Sequence, residues 1–120
     1  MTRLLAIVLV WLLAGCATTP LPPSTSADGM SPIRDWRPTG PIKAQLVALH
    51  GFNDHKGAFA GFARFAAEQG VLVRAYDQPG FGEHAVRGFW PGSAALEMAL
   101  IEQIRARRRE HPKVPLYVVG

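Results

Sequence analysis

This chain has almost no cysteine: among its 120 residues, Cys16 is the only one. One cysteine cannot form an intramolecular disulfide or supply the several thiolates of a cysteine zinc site. Charged residues are also few, at 18%, whereas hydrophobic residues make up 48%. These proportions are typical of globular proteins and exclude a disordered or fibrous chain. We therefore expect one modest domain with a packed core and no internal disulfide.

Long apolar runs are scarce as well, and the longest one lies near the N-terminus. It covers residues 4–12, follows Arg3, and is too short to cross a bilayer as a helix. A cation, an apolar run and then small residues form the order that is typical of a secretory signal. We predict a signal peptide over 1–15, a flexible tether rich in Thr, Pro and Ser over 16–31, and the folded domain over 32–120.

The end of the predicted signal, Leu13-Ala-Gly-Cys16, resembles the lipobox of bacterial lipoproteins. The resemblance implies cleavage before Cys16 and acylation of Cys16, which would anchor the protein to a membrane of the bacterial cell envelope. Ala17 favours the periplasmic face of the outer membrane if the source is Gram-negative. The alternative is an ordinary secretory signal in which the cysteine occurs by chance.

The net charge of +4 gives no strong indication of a partner. Much of it comes from one segment that holds Arg105, Arg107, Arg108 and Arg109. This segment has no interleaved aromatic residue and no nucleic-acid motif, and cations in the last turn of a helix complement the helix dipole. We therefore predict a solvated helix face here and no nucleic-acid partner.

Strand and helix patterns alternate through the rest of the chain. Short apolar runs bounded by turn residues predict four strands, over residues 33–36, 44–49, 71–76 and 114–119. Helical spacing predicts a helix over 58–69, ended by Gly70, and a second helix that is capped by Ser93 and ends near His111. The helix residues expected to face the core are Phe59, Phe62, Ala63, Ala66, Leu96, Leu100, Ile101 and Ile104. This order of elements indicates an α/β fold with a mostly parallel sheet.

Two glycine-bearing turns follow predicted strands and carry the strongest functional signal. His50-Gly51-Phe52 follows the strand over 44–49, and the run from Asp77 to Gly82 follows the strand over 71–76. Parallel strands end at one edge of a sheet, and open α/β proteins place their ligands at that edge. We therefore expect the two turns to lie together there.

These turns resemble those of the α/β-hydrolase superfamily. Within it, the chain is similar to serine hydrolases of the bacterial lysophospholipase and monoacylglycerol lipase type, which are like the serine aminopeptidases S33. The resemblance covers residues 32–120 and implies the N-terminal part of an α/β-hydrolase fold. Three runs carry it, namely Ala48-Leu-His-Gly-Phe-Asn-Asp54, Ala75-Tyr-Asp-Gln-Pro-Gly-Phe-Gly82 and Gly88-Phe-Trp-Pro-Gly92. Pro79 departs from the family, in which an arginine is common at this position.

The resemblance assigns roles to residues of both turns. The backbone N–H of Phe52 is expected to donate to the oxyanion of the transition state, with support from His50 and Gly51. Asp77 is expected to accept hydrogen bonds from the amides of the turn Gly80-Phe-Gly82. The resemblance also implies a lipid or small-ester substrate and no metal or organic cofactor.

The catalytic groups of the family are expected beyond this chain. The family's nucleophile lies in Gly-x-Ser-x-Gly directly after a strand, and Gly120 matches the first glycine of that motif. The acid and the base follow the serine, so none of the four histidines holds the base position. The sequence therefore predicts no catalytic residue among residues 1–120, which as given are expected to be inactive.

Three other interpretations stay open at this point. In the first, the chain is a non-catalytic, truncated lipoprotein. In the second, it has the same fold with an aspartate nucleophile, as in epoxide hydrolases and dehalogenases. The run from His50 to His55 also matches the metallo-β-lactamase pattern His-x-His-x-Asp-His, except that Phe52 offers no ligand to zinc. The sequence predicts no oligomeric state.

Four aromatic residues near the turns allow two interpretations. They line a pocket for an acyl chain, or they pack in the core beneath the long loop that follows the second strand. For Phe52 the two are equally supported, and for Phe89 and Trp90 core packing is the stronger expectation. The four residues are Phe52, Phe81, Phe89 and Trp90.

Overall fold

The computed structural model describes residues 31–120 and is built on a four-stranded sheet. In chain order the strands are β1 (Ile33–Trp36), β2 (Ala44–Leu49), β3 (Val71–Tyr76) and β4 (Leu116–Val119). Their order in space is β1-β3-β2-β4. β1 is antiparallel to β3, whereas β2 is parallel to both β3 and β4. The predicted α/β fold with a mostly parallel sheet is confirmed, while the predicted signal, Cys16 and most of the tether lie outside the described residues.

Two helices cover the two faces of the sheet. α1 (Ala60–Glu68) follows a 3₁₀ turn (Lys56–Phe59), and α2 (Ser93–Glu110) precedes β4. The helix predicted over 58–69 is therefore a 3₁₀ turn joined to a shorter α-helix. The tighter turn arises where the side chain of His55 accepts a hydrogen bond from Gly57 N–H, with 3.1 Å between the nitrogens.

The face of the sheet beneath α1 is apolar. Ala63 and Ala66 are buried there, because their small side chains let the helix lie close to the strands. Phe59 is partly buried against them. Phe62 is half exposed, so the prediction that it faces the core is wrong; the two alanines take the positions that point toward the sheet. The remaining buried residues on this face are Trp36, Ala48, Val73 and Ala75.

The face beneath α2 is partly polar. The buried residues of α2 are Ala99, Gln103 and Arg107, which recur every fourth position and so share one stripe of the helix. Ile101 was expected to face inward, but it is 44% exposed because it lies off this stripe. Leu100 packs beside Ala99 against a buried cluster with Val47 and Tyr76.

A network of four charged side chains fills the polar part of this face. Arg74 holds both oxygens of Asp35 through Nε and Nη2, each at 2.8 Å. Arg107 Nη1 donates to Glu110 at 2.8 Å and lies 3.5 Å from Asp35. Burial by itself raises the pKa of Asp35, but the hydrogen bonds and charge of Arg74, with the charge of Arg107, hold it below its ordinary value. The prediction of a solvated face is therefore wrong for Arg107, which is fully buried.

The two ends of α2 also differ from the sequence prediction. Gly92, with φ of 86°, is the N-cap, and no side chain caps the helix, so Ser93 is its first residue and not its cap. At the other end, Gln45 Nε2 donates to the carbonyls of His111 and Val114, at 3.0 and 3.1 Å. β4 starts later than predicted because Val114 N–H donates to His111 O in a turn.

Neither helix within residues 31–120 combines the length and apolarity that a bilayer span requires.

Candidate active-site edge

The two glycine-bearing turns lie side by side at the carboxyl edge of the sheet. Leu49 pairs with Tyr76 at the ends of β2 and β3, so His50 and Asp77 follow at the same level. Both residues are buried. Gly120 follows β4 at this edge, and a Cβ placed on it would lie 3.3 Å from the Cβ of Leu49. The two turns thus meet at one edge, as the strand pattern predicted.

The first turn leaves the residue after Gly51 open to solvent. Asp54 N–H donates to Gly51 O at 3.3 Å, and Asn53 has a left-handed backbone with φ of 59°. A left-handed third residue is typical of a type II turn, and asparagine tolerates it. Phe52 is 83% exposed, and its N–H makes no hydrogen bond with any group in residues 31–120. The turn therefore presents at the sheet edge a backbone donor that no group in residues 31–120 occupies.

His50 joins the first turn to the second. Its Nε2 accepts from Gln78 N–H at 3.0 Å, which requires an unprotonated nitrogen at that position. The proton therefore resides on Nδ1, which donates to Gly51 O at 2.8 Å. The Gln78 side chain in turn donates to His50 O at 2.6 Å. Both ring nitrogens are occupied, so His50 braces the turn and has no free nitrogen to act as a base.

Asp77 organises the second turn, with partners other than those predicted. Oδ1 accepts from Lys56 N–H at 2.7 Å, and Oδ2 accepts from Lys56 Nζ at 2.7 Å and from Glu83 N–H at 2.8 Å. The expected donors, the amides of Gly80-Phe-Gly82, are not used, because the carboxylate reaches one residue past the turn. Asp77 thus ties the turn to the 3₁₀ turn before α1.

The charges around Asp77 stabilise one another. Burial by itself raises the pKa of Asp77, but the ammonium of Lys56 and two backbone N–H groups outweigh it, so the pKa is lowered. Burial likewise acts to lower the pKa of Lys56, and the carboxylates of Asp77 and Glu83 raise it above its ordinary value. Lys56 Nζ lies 2.6 Å from Glu83. The arrangement keeps Asp77 ionised as a structural acceptor.

Two glycines let the second turn close around this carboxylate. A Cβ on Gly82 would lie 2.2 Å from the carboxyl carbon of Asp77, and a Cβ on Gly80 would lie 2.2 Å from Phe89 O. Both glycines have positive φ, 56° and 89°. Any larger residue at either position would push the loop away from Asp77 or from Phe89, so the turn requires glycine at both positions.

A cavity of about 460 Å³ opens between the two turns. Its aromatic wall is a cluster in which the Phe81 ring packs edge-on against Phe52 and Trp90, with centroids 5.4 and 6.5 Å apart. Phe89 and Trp90 are 43% and 55% exposed and line the cavity, so the expectation that they pack in the core is wrong. Charged residues also line the cavity, among them Asp54, Lys56, Glu83 and Arg87. The cavity offers an apolar surface next to the backbone N–H of Phe52.

Of the other histidines, His55 lines the cavity, whereas His84 and His111 do not, and neither does Ser93. His55 caps the 3₁₀ turn, and His84 Nδ1 lies 3.4 Å from Val86 N within the loop. His111 follows the last residue of α2, and Ser93 is the first. Residues 31–120 hold no cluster of three or more His, Cys, Asp or Glu side chains able to bind a metal ion.

Two residues of this edge, Gln78 and Lys56, were not predicted from the sequence. Gln78 directly follows Asp77, and a polar residue at the end of a buried parallel strand was a usable signal. Lys56 carries no such signal, because its partner Asp77 is distant in the sequence and a single lysine in a polar loop usually points to solvent.

The chain matches the model of a known protein family. The family model described as serine aminopeptidase, S33, matches residues 40–120, more than half of the chain. Human monoglyceride lipase is 28% identical over 102 residues, which cover 83% of this chain and 34% of the lipase. An uncharacterised abhydrolase domain-containing protein of Dictyostelium discoideum is 34% identical over 90 residues, 73% of this chain and 9% of that protein. The chain thus spans about a third of the length of the lipase.

Solved structures show the same fold. A thermostable carboxyl esterase from Bacillus coagulans matches with a TM-score of 0.67 and 18% identity, over 73% of this chain and 30% of the esterase. A lipase in its open form matches with a TM-score of 0.59 and 22% identity, over 72% of this chain and 30% of the lipase. At these identities the likeness establishes the fold.

Proposed function

Because this chain belongs to the serine aminopeptidase S33 family of α/β-hydrolases, we propose that the whole protein hydrolyses carboxylic esters of lipids, such as monoacylglycerols or lysophospholipids. Residues 31–120 supply the oxyanion side of its active site. The observation that carries the proposal is the N–H of Phe52, which has no partner within residues 31–120 and lies beside an aromatic cavity wall. A lipid ester needs both an apolar surface and a donor for its carbonyl oxygen.

The proposed chemistry is acyl transfer to a serine that lies two residues beyond Gly120. Its Oγ bonds to the ester carbonyl carbon while a later histidine takes the hydroxyl proton. The carbonyl oxygen becomes an oxyanion, to which Phe52 N–H donates; one such donor contributes about 2.7–4 kcal/mol of transition-state stabilisation. The C–O bond then breaks, and the leaving alcohol takes the proton from the histidine. Water repeats the sequence on the acyl-serine and releases the acid.

The position of Gly120 supports this arrangement. β4 is parallel to β2, and Gly120 lies beside Leu49, one residue before His50. A residue shortly after Gly120 would therefore emerge at the same edge as Phe52. His50 has no free ring nitrogen, which is consistent with a base supplied from elsewhere.

An inhibition assay tests the reaction class. The whole protein is assayed with a short-chain nitrophenyl ester and with a monoacylglycerol, before and after treatment with a serine-directed organophosphate. We expect hydrolysis of both substrates and its loss after treatment. Activity that persists after labelling contradicts a serine nucleophile, and no hydrolysis of either ester contradicts the proposed function.

A matched pair of variants tests the role of the Phe52 N–H. Phe52→Pro removes the N–H, and proline is favoured at the second position of this type of turn. Phe52→Ala removes the ring and keeps the N–H. We expect kcat of the proline variant to fall about 10²–10³-fold below that of the alanine variant. Equal kcat values in the two variants would exclude this donor.

The lipid anchor on Cys16 is also a proposal. Its support is the likeness of Leu13-Ala-Gly-Cys16 to a lipobox, and the predicted site of action is the bacterial cell envelope. Metabolic labelling with a fatty acid, followed by detergent phase partition, compares the native protein with Cys16→Ser. We expect the native protein in the detergent phase with label, and the variant in the aqueous phase without it. Label that remains on the variant contradicts the anchor.

A further inference from the structure

We propose that Gln78 is a positioning residue for the oxyanion peptide, by which we mean the peptide group that joins Gly51 to Phe52. The inference rests on the proposed function, because it assigns Gln78 a part in aiming the Phe52 N–H. Gln78 touches no substrate in this proposal. It acts through His50, which lies between it and the oxyanion peptide.

Gln78 holds His50 at two points. Its backbone N–H donates to the ring Nε2 at 3.0 Å, and its side-chain Nε2 donates to the His50 carbonyl at 2.6 Å. The first bond selects the ring tautomer with the proton on Nδ1, because a backbone N–H can only donate. The second bond fixes the carbonyl that immediately precedes Gly51. Together they set both the ring and the backbone of His50.

The ring passes this constraint to the oxyanion peptide. His50 Nδ1 donates to Gly51 O at 2.8 Å. Gly51 O and the Phe52 N–H belong to one planar peptide group, so a bond that holds the oxygen also sets the direction of the N–H. A carbonyl that accepts a hydrogen bond is polarised, which strengthens the donor at the other end of the same amide. The N–H of Phe52 is thus the end of a hydrogen-bonded chain that starts at Gln78.

The contacts of Gln78 favour this role over simple packing. Within residues 31–120, the side-chain amide of Gln78 donates only to His50 O. His50 is almost completely buried, with the Phe81 ring edge-on at 5.8 Å, so it cannot turn without moving the aromatic wall. Loss of the Gln78 amide therefore frees the backbone at residue 50 while the ring remains in place.

The test compares Gln78→Met with a matched control, Gln69→Met, in the full-length protein. Methionine keeps the length of the side chain and the backbone N–H of residue 78, but it cannot donate to His50 O. Gln69 is exposed at the end of α1. We expect kcat of Gln78→Met to fall about 10- to 100-fold with KM changed by less than about twofold, because only the transition state uses the aimed N–H. The control should keep the kcat of the native protein.

Two further readouts separate positioning from loss of fold. Affinity for an alkyl boronic acid, whose serine adduct carries a tetrahedral oxyanion, should fall in parallel with kcat. The NMR signal of the Phe52 amide should shift in Gln78→Met and stay in place in Gln69→Met. An unchanged kcat together with an unchanged Phe52 amide signal overturns the inference. If the protein hydrolyses no ester, the proposed function fails, and the Phe52 amide signal alone still decides whether Gln78 sets this peptide.

Discussion

The two faces of the sheet are held to their helices by different forces, and β3 shows the contrast within one strand. Val73 and Ala75 point to α1 and pack among apolar side chains. Arg74 lies between them in sequence, points the other way, and is bonded to Asp35 beneath α2. Because apolar contacts have no preferred direction, the α1 face depends on volume, whereas the α2 face depends also on the geometry of its charges.

The difference between the two faces affects how the active-site edge is positioned. α2 follows the loop that carries the aromatic wall and precedes β4, which ends at Gly120. Its C-terminal half is held to the sheet by the ion pairs of Arg107 with Asp35 and of Glu110 with Arg74, at 3.5 and 3.4 Å. Its end is held by Gln45 on β2. Directional bonds thus hold α2 in place. The loop before α2 and β4 after it both reach the active-site edge, so both must be placed accurately. α1 needs less accurate placement, since it contributes to the active-site edge only through the 3₁₀ turn that precedes it.

The largest effect is expected from Asp35→Ala. The substitution leaves Arg74 and Arg107 buried without the carboxylate between them. Breaking a buried ion pair by removing one partner costs about 3–5 kcal/mol of unfolding free energy. Urea unfolding measures the loss, with Glu97→Ala on the exposed side of α2 as the control, where we expect a change within about 0.5 kcal/mol. Similar losses in both variants would mean that the buried network contributes no more to stability than an exposed carboxylate on α2.

A smaller loss is expected on the apolar face from Ala63→Leu. Ala63 is fully buried between α1 and the sheet, so the larger side chain must displace the helix. Overpacking of this kind costs about 1–3 kcal/mol. The control is Ala94→Leu in the first turn of α2, where the alanine is exposed. The same urea measurement applies, and equal stability of the Ala63→Leu variant and the control would show that α1 tolerates added volume.

The loss of unfolding free energy at acid pH provides a third test. The pKa values of Asp35 and Asp77 are lowered in the folded protein, so both carboxylates stabilise it above their unfolded pKa, about 3.9, and the stability is lost as pH falls through the folded values. Unfolding free energy between about pH 6 and about pH 3 should therefore decline less steeply in Asp77→Asn than in the native protein. Parallel slopes would contradict a lowered pKa at Asp77.

The sequence predicted what depends on local pattern. Apolar runs and glycine turns gave the strands and brought His50 and Asp77 to one edge. It did not predict Arg107 as a buried residue, because a cluster of arginines at a helix end is usually solvated and the partner Asp35 is far away in the chain. The bonds between Gln78 and His50 were missed for the same reason. Pairings that form only through tertiary contact leave no periodic signal.

The smallest change in unfolding free energy is expected from Arg37→Ala, which removes a contact at the exposed rim of the charge network. Arg37 pairs with the same carboxylate as Arg74, at 3.4 Å, but its side chain is 55% exposed. Water and salt screen such a pair, so its loss should cost about 0–1 kcal/mol and should diminish further in high salt. Arg37 and Arg74 share Asp35 as partner and carry the same charge, but Arg37 makes one exposed contact at 3.4 Å, whereas Arg74 makes two buried contacts at 2.8 Å. A loss as large as that of Asp35→Ala would show that the rim of the network stabilises the polar face as much as its buried centre.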